Sequence, residues 1–134
     1  INKLSNIEFS GKISHSQVMD ELTKAHILVA PSREEAMSLV VLEAISCGVY
    51  VIATAISGNN ELIEEGVNGD FVAYDQPTQI AQKISAFYND KFLKDYQYPS
   101  LVLQNLYQNY SWKNTAEKYL SLFSAAINTN SKLL

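Results

Sequence analysis

The sequence predicts an α/β domain in which a parallel sheet carries helices on both faces. Short aliphatic runs alternate along the chain with segments that have the periodicity of helices. The run VYVIAT, residues 49–54, is rich in β-branched residues and lacks polar alternation, which is typical of a strand covered on both faces. Strands that alternate with helices form right-handed βαβ units, and such units give a parallel sheet.

The first third of the chain predicts two strands with a helix between them. Residues 6–10 alternate briefly between polar and apolar types and end at Gly11, which indicates a short strand and a turn. Either Ser14 or Ser16 can cap a helix that runs to about residue 25. The aliphatic run HILVA, which Pro31 stops, predicts the second strand.

The middle of the chain predicts a helix, a strand, a short helix and another strand. The run MSLVVLEAISC favours a helix that ends at Gly48, because glycine readily takes the left-handed conformation at a helix end. Residues 49–54 form the next strand. Residues 59–65 indicate a short helix closed by Gly66, and Asn68-Gly69 indicates a turn into a further short strand.

The last part of the chain is helical in its pattern. Three helices are predicted, at residues 78–89, 92–110 and 112–127. The second is interrupted near Pro99, and the tail 128–134 is expected to fray. Asn114 and Glu117 have the spacing of a capping box for the last helix, and Ser111 is an equally good cap.

Composition excludes some classes of function. The 134 residues, 47% hydrophobic and 18% charged, suffice for one core, and no linker divides residues 1–127, which we expect to form one domain. A net charge of −4 without a basic run argues against nucleic-acid binding. The single cysteine, Cys47, excludes an internal disulfide and fits a reducing compartment. Because the chain opens at Ile1, we expect it to be part of a longer protein.

One apolar segment raises the question of a membrane span. Residues 37–56 are about long enough to cross a bilayer. Glu43, the Cys47-Gly48 pair and a change of periodicity divide the segment, so we interpret it as a buried helix followed by a buried strand.

The predicted topology gives a place for a ligand. Ligands of parallel α/β sheets bind beyond the carboxyl ends of the strands. Two predicted loops lie there, residues 11–14 and residues 31–38. A helix that begins near Met37 or Ser38 would direct unpaired N–H groups and the positive end of its dipole at this edge. Such a helix start suits a phosphate or a diphosphate.

Two glutamates frame this helix start. Glu35 would lie at its mouth, and Glu43 follows eight residues later, about 12 Å along the axis at ~1.5 Å per residue. Two acceptors on either side of an anion site suit a nucleotide sugar. Structural roles remain open for both: the dipole favours an acid such as Glu35 at a helix start, and Glu43 could reach solvent or pair with a lysine.

Short motifs follow one another in a set order over residues 5–125. They are Phe9-Ser10-Gly11-Lys12-Ile13, Pro31-Ser32, Glu35-Ala36-Met37-Ser38, Leu42-Glu43-Ala44, Gly48-Val49-Tyr50-Val51-Ile52, Ser57-Gly58-Asn59-Asn60-Glu61, Val67-Asn68-Gly69 and Tyr110-Ser111-Trp112. This series resembles the C-terminal, donor-binding domain of retaining glycosyltransferases with the GT-B fold, of the group 1 or family-four type. The resemblance implies a Rossmann-like fold and a partial GT-B C-terminal domain.

The resemblance also implies a role for each matched position. Glu35 would bond hydroxyls of the donor sugar and is the candidate catalytic residue, and Glu43 would bond the ribose hydroxyls of the nucleotide. The base would face Lys12 and Ile13. The donor sugar and its diphosphate would lie against Glu35, Ala36, Met37, Ser38 and Leu39. No metal and no cofactor is expected, because helix dipoles and basic side chains stabilise the leaving diphosphate in this family.

The chain departs from the family pattern in several places. Ala36-Met37-Ser38 stands for Gly-Phe-Gly, Tyr50 for proline and Ser57 for the first glycine of a pair, and we expect these changes to bear on donor identity. The Arg and Lys of the opening βα unit, which clamp the diphosphate in the family, and the N-terminal acceptor domain are absent from this sequence. We therefore expect a part of a longer enzyme that is inactive alone.

The expected function is to bind a nucleotide-diphosphate sugar for transfer, with retention, to a polysaccharide, glycolipid or similar acceptor. There are two alternatives. The altered 36–38 loop suggests a non-catalytic nucleotide-sugar-binding module, and the other alternative is a GT-B sugar-nucleotide epimerase. The expected partners are the nucleotide-sugar donor and the missing N-terminal acceptor domain, and no nucleic acid. The expected location is the cytoplasm, where the longer protein can associate with the inner membrane face.

Overall fold

The elements of the fold follow the order that alternating strands and helices predict. A computed structural model describes the backbone of residues 6–130 and the side chains of residues 6–127. Its regular elements are α1 (His15–Leu22), β1 (Ile27–Ala30), α2 (Leu39–Ser46), β2 (Tyr50–Thr54), α3 (Ser57–Asn60), β3 (Gly69–Val72), α4 (Pro77–Ala86), α5 (Ser100–Tyr110) and α6 (Trp112–Asn130). A π-helical turn, Phe87–Lys91, and a 3-10 turn, Phe92–Lys94, connect α4 to the segment before α5.

The three strands form a parallel sheet in the order β1-β2-β3. All five residues of the central strand β2 are buried. Their side chains alternate between the two faces of the sheet, so Val51 and Ala53 enter one apolar cluster and Tyr50 and Ile52 enter another. Burial on both faces explains why this strand shows no polar alternation, and it confirms the predicted parallel α/β class.

Helices cover both faces of this sheet. Side chains from α1, α2 and α5, including Leu22, Ile45 and Val102, pack against the face that carries Val51. Ile80 from α4 and Phe87 from the π-helical turn pack against the opposite face. The predicted two-sided cover is therefore confirmed.

The predicted strand at residues 6–10 is wrong. These residues form no strand, and in the part of the chain that the structure describes, β1 is bonded to β2 only. Phe9 is 92% exposed and Ile7 is exposed as well, so the segment has neither a strand partner nor a surface on which to bury its apolar side chains. A short alternating segment needs one of these to be stable as a strand.

The start of α1 agrees with one of the two predicted caps. The Ser14 side chain accepts a hydrogen bond from the Gln17 N–H, and the Gln17 carboxamide oxygen accepts one from the Ser14 N–H at 2.9 Å. This capping box fixes the first turn of the helix. The helix ends at Leu22, three residues before the predicted end.

The short helix predicted at residues 59–65 is misplaced. The structure has α3 at Ser57–Asn60, and turns replace the rest of the predicted helix. Asn68 accounts for the difference, because its amide accepts from the Glu64 N–H at 2.8 Å and donates to the Leu62 carbonyl at 3.1 Å. A buried asparagine that bonds the backbone in this way competes with helical hydrogen bonds.

The C-terminal helices follow the prediction with shifted ends. The long segment predicted at 92–110 divides where Asp95 takes a left-handed conformation (φ 61°), and α5 begins directly after Pro99. Ser111 caps α6, since its hydroxyl accepts from the Asn114 N–H at 3.3 Å. Residues 128–130, predicted to fray, continue α6, and the rest of that predicted tail, 131–134, lies outside the described residues.

The segment 37–56 contains a helix followed by a strand, as the sequence predicts. The strand β2 is buried throughout, but α2 is not a fully buried helix: it buries Val41, Ala44 and Ile45 and leaves Leu39 and Val40 exposed. Across residues 6–130, no helix combines the length and the apolar character that crossing a bilayer demands.

The loop that follows β1, residues 31–38, is fastened to the end of β2. The Thr54 hydroxyl donates to the Ser32 carbonyl at 2.5 Å, and the Asn59 amide donates to the Thr54 carbonyl at 2.9 Å. Gly58 lies directly beneath the loop: a Cβ on it would be 2.5 Å from the Ala36 carbonyl oxygen and 2.7 Å from the Met37 Cα. The loop therefore takes its path because position 58 has no side chain.

We predict that Gly58→Ala destabilises the chain and displaces the loop. Inserting a methyl group against fixed backbone atoms costs about 1–3 kcal/mol, and we expect the free energy of unfolding to fall by an amount in this range in urea titrations. Asn60→Ala, an exposed change in the same short helix, is the control and should leave the midpoint nearly unchanged. A Gly58→Ala chain as stable as the control would contradict this packing.

We predict that the chain loses stability between about pH 10 and pH 12. Burial raises the pKa of Tyr96 to about 12, and burial followed by the hydrogen bond to Asp70 raises the pKa of Tyr50. An unfolded chain releases these protons near pH 10, so raising the pH through this window favours unfolding.

Tyr96→Phe tests the contribution of one residue. The variant lacks the hydrogen bond from the Tyr96 hydroxyl to the Val67 carbonyl (2.8 Å), and it should be about 1 kcal/mol less stable at neutral pH. Its stability should also fall less steeply between pH 9 and pH 11.5 in denaturant titrations. Tyr107→Phe, at an exposed position, is the control. If the stability of the Tyr96→Phe variant fell with pH as steeply as that of the unmodified chain, the assigned contribution of Tyr96 to this pH dependence would be contradicted.

Candidate functional site

The start of α2 lies at the carboxyl end of β1, where the sequence predicts a ligand. Ser38 precedes the helix with extended backbone (φ −84°, ψ 105°). The first helical hydrogen bond runs from the Leu42 N–H to the Ser38 carbonyl at 3.0 Å. The N–H groups of residues 39–41 are therefore left without an acceptor inside the helix. They carry the positive end of the helix dipole, an arrangement that favours the binding of an anion.

Ser38 contributes an unpaired hydroxyl at this helix start. The residue is 1% exposed, and its side chain does not cap the helix. Its Oγ has no hydrogen-bond partner among the residues that the structure describes. A buried hydroxyl without a partner is uncommon in folded proteins, because leaving water costs it a hydrogen bond.

Glu35 has a similar unpaired atom in the same loop. The residue is half-buried, and its Oε2 is buried without a hydrogen-bond partner within the described part of the chain. A carboxylate oxygen in that state is ready to accept from a donor that the chain itself does not supply. Two residues separate Glu35 from Ser38, so one short loop carries an unpaired acceptor and an unpaired hydroxyl to the start of α2.

Glu43 lies one turn into α2 and is held by a residue of α1. Its Oε1 is 2.8 Å from Nε2 of His15, and the two side chains are 24% and 74% exposed. The partner is a histidine and not the lysine that the sequence left open. Because an ionised carboxylate only accepts hydrogen bonds, the histidine is the donor.

The predicted base-binding residues lie just before this histidine. Lys12 is exposed and Ile13 is half-buried, in the irregular segment that leads into α1. The contact of His15 with Glu43 brings the start of α1 to α2. The structure thus places the predicted base contacts two and three residues from the histidine that touches the predicted ribose contact.

Sequence reasoning missed two features next to Glu43. The first is His15, which directly follows the predicted cap Ser14, and nothing in the local sequence connects it to a residue 28 positions away. The second feature is a cavity of about 450 Å³ between α2 and the α5–α6 junction, which Glu43 and Trp112 both line. Trp112 belongs to the Tyr110-Ser111-Trp112 motif, whose position beside α2 only the folded chain reveals.

Tyr50, which stands where the family pattern has proline, lies away from the edge of the sheet at which the sequence predicts a ligand. Tyr50 is fully buried at the start of β2, the opposite end of the strand from the ligand-binding edge. Its hydroxyl donates to the Asp70 carboxylate at 2.9 Å, and Lys83 pairs with the same carboxylate at 2.9 Å. The tyrosine therefore serves the core on the face that α4 covers.

Comparison with known proteins gives the family. The family model "Glycosyl transferases group 1" matches residues 2–100. An uncharacterised glycosyltransferase, MJ1178, of Methanocaldococcus jannaschii is 34% identical over 93 residues, which are 69% of this chain and 26% of that protein. The gpi3 subunit of phosphatidylinositol N-acetylglucosaminyltransferase of Schizosaccharomyces pombe is 29% identical over 124 residues, or 92% of this chain and 26% of that protein.

Solved structures share the fold. Sucrose-phosphate synthase from Thermosynechococcus elongatus superposes with a TM-score of 0.77 at 24% identity, over 90% of this chain and 31% of that one. Anabaena HepE in complex with UDP and glucose gives a TM-score of 0.74 at 21% identity, over 88% of this chain and 32% of that one. The chain thus spans between 26% and 32% of the length of these four proteins. By sequence and by fold, the chain belongs to the glycosyl transferases of group 1, with the α/β architecture of a GT-B enzyme.

Proposed function

We propose that this chain is the donor-binding part of a glycosyltransferase that uses a nucleotide-diphosphate sugar. One observation carries the proposal: a buried carboxylate oxygen of Glu35 and the buried hydroxyl of Ser38 lack partners in the described structure, beside a helix start with free N–H groups. A sugar diphosphate supplies hydroxyl donors for the Glu35 oxygen, and it supplies oxygen acceptors for the Ser38 hydroxyl and the N–H groups. The HepE complex with UDP and glucose supports this class of ligand.

The diphosphate is assigned to the start of α2. Its oxygens accept from backbone N–H groups at Met37, Ser38 and Leu39, and the helix dipole stabilises its negative charge. As the bond between sugar and diphosphate breaks, charge develops on the leaving group, and preorganised N–H groups stabilise it without reorientation. The proposal involves no metal ion. Because the contacts are made by backbone groups, the Ala36-Met37-Ser38 sequence is compatible with them.

Glu35 is assigned to the donor sugar. Sugar hydroxyls that donate to Oε2 would satisfy this buried atom and fix the ring in front of the acceptor. Holding a reactant in a reactive orientation lowers the barrier of the transfer step. Glu35 is thus the proposed catalytic residue in the sense that it touches and orients the reacting sugar.

Glu43 is assigned to the ribose, with Lys12 and Ile13 beside the base. A carboxylate can accept from both hydroxyls of a ribose diol while one of its oxygens also bonds His15, because it offers about four acceptor positions. The contact with the exposed His15 does not close the site. The two acids then bind opposite ends of one donor molecule.

The rest of the enzyme is also part of the proposal. The chain spans 26% to 32% of the length of the proteins compared. We therefore assign the acceptor-binding domain, and the Arg and Lys that clamp the diphosphate in the family, to sequence outside this chain. Residues 1–127 are assigned to one donor-binding domain. Retention of configuration, a polysaccharide or glycolipid acceptor, a cytoplasmic location and docking at a membrane face stay predictions. The names of the relatives favour a transferase over a binding module or an epimerase.

Substitution of the two acids should have different effects. UDP, GDP and ADP are titrated by calorimetry, free and as sugar conjugates, beginning with UDP-glucose. Glu43→Gln is expected to weaken free nucleotide and conjugate alike, by about 10-fold or more, because hydrogen bonds to a charged group contribute about 1.5–3 kcal/mol. Glu35→Gln is expected to weaken the conjugate and leave the free nucleotide within about twofold.

Glu34→Gln is the matched control, since Glu34 is an exposed acid next to Glu35. It should change neither affinity. Equal losses of free nucleotide in the two test variants would contradict the separate roles. If the unmodified chain binds none of the nucleotides or conjugates, the proposed function itself fails.

A second prediction concerns activity. We expect no sugar transfer by these 134 residues alone, because the acceptor site and the clamping cations are assigned to other sequence. The measurement is transfer of radiolabelled sugar from UDP-glucose, GDP-mannose and ADP-glucose to a mixed polysaccharide and lipid acceptor pool. Incorporation of label into the acceptor pool above that in controls for spontaneous reaction of the donor would contradict this assignment.

A further inference from the structure

We propose that His15 is a positioning residue of the nucleotide site, which holds the Glu43 carboxylate in the orientation that accepts from the ribose hydroxyls. The inference rests on the proposed function and deepens it by one residue. Its basis is the 2.8 Å contact between His15 Nε2 and Glu43 Oε1, which connects two helices that the sequence gives no reason to join.

The backbone of His15 is fixed although its ring is exposed. It is the first residue of α1, directly after the capping box formed by Ser14 and Gln17. At the other end of α1, Leu22 is buried in the core cluster that also contains residues of α2. The ring therefore reaches Glu43 from a backbone that capping and packing hold in place.

Glu43 needs such a partner to have a defined orientation. A glutamate side chain has three rotatable bonds, and ordering it costs conformational entropy. On the same face of α2, Leu39 and Val40 are apolar, and the Ser46 hydroxyl donates to the backbone carbonyl of Glu43 at 2.6 Å rather than to its carboxylate. Within residues 6–127, the ion pair assigned to Glu43 is the one with His15. A carboxylate oriented before binding spends less of the ligand's binding free energy on ordering.

The contact with His15 leaves acceptor positions of the Glu43 carboxylate free for the ligand. His15 donates one hydrogen bond to Oε1, from Nε2 of either the imidazolium or one neutral tautomer. Oε2 and a second acceptor position on Oε1 lie outside this bond, and a ribose diol needs two acceptor positions. His15 and the ribose can therefore bond the same carboxylate together.

The effect on binding should be separable from an effect on folding. His15 is 74% exposed, and ion pairs between exposed side chains contribute little to stability because water and salt screen them. Removing the imidazole should thus leave the fold intact while it loosens Glu43. His26 offers a matched control, since its ring packs edge-on against Phe92 at 4.7 Å and not against Glu43.

The test compares ribonucleotides with analogues that lack the ribose hydroxyls. UDP, GDP and ADP and their 2′,3′-dideoxy forms are titrated against the unmodified chain, His15→Ala, His15→Gln and His26→Gln. We expect His15→Ala to weaken the best-bound ribonucleotide about 3- to 10-fold, which is the effect of one lost hydrogen bond. His15→Gln should restore most of the affinity, because its side-chain amide can also donate to Glu43.

The dideoxy analogue gives the readout that a structural role would not produce. Its affinity should be the same for the unmodified chain and His15→Ala, since it has no hydroxyl for Glu43 to accept. The urea midpoints of His15→Ala and His15→Gln should equal that of the unmodified chain. His26→Gln loses the ring contact with Phe92 and can lower the midpoint, but it should bind like the unmodified chain.

Three outcomes would overturn the inference. Equal weakening of the ribonucleotide and its dideoxy analogue by His15→Ala would show a general structural effect. Unchanged ribonucleotide affinity in His15→Ala would show that Glu43 needs no support. An unmodified chain that binds both nucleotide forms equally would refute the ribose role of Glu43, and with it both this inference and that part of the proposed function.

Discussion

The candidate site depends on one close contact between two backbones. Gly58 has no side chain, so the loop before α2 lies directly on the short helix that follows β2, and the Thr54 hydroxyl ties the same loop to the end of that strand. This contact sets where α2 begins. The direction of its free N–H groups and the positions of Glu35 and Ser38 follow from it, because all of them belong to the loop or to the first turn.

The sequence predicted most of the fold, and for identifiable reasons. β2 and α2 were found because burial on both faces and helical periodicity leave strong local patterns. The strand predicted at residues 6–10 does not form, because its apolar residues find neither a partner strand nor a covering surface. The helix predicted at 59–65 gave way to turns, since Asn68 bonds the backbone that a helix would use. The first error reflects the absence of a tertiary partner, and the second reflects a side-chain bond to the backbone four and six residues earlier, which periodicity does not show.

For the site, the sequence indicated candidate residues, whose binding roles stay predictions, but it did not indicate their partners in the fold. Glu35 and Glu43 were identified by their spacing around a helix start, and the structure puts both on the loop and helix expected. The unpaired state of the Glu35 oxygen and the bond from His15 to Glu43 could not be predicted, because each depends on how separate elements pack. Tyr50 shows the converse, a departure from a family pattern that proved to serve the core.

The phosphate site that we propose at the start of α2 would be made of main-chain amides, and this has an evolutionary consequence. Mutation alters side chains and leaves the amide of every residue except proline in place. The exposed residues Ala36 and Met37 can therefore change in identity while their amides continue to offer the same donors. The identity of residue 58 is more strongly constrained, because even one carbon added to Gly58 would collide with the main chain of the loop. Among related proteins, the position of Gly58, below the loop, should therefore vary less than positions 36 and 37 of the loop itself.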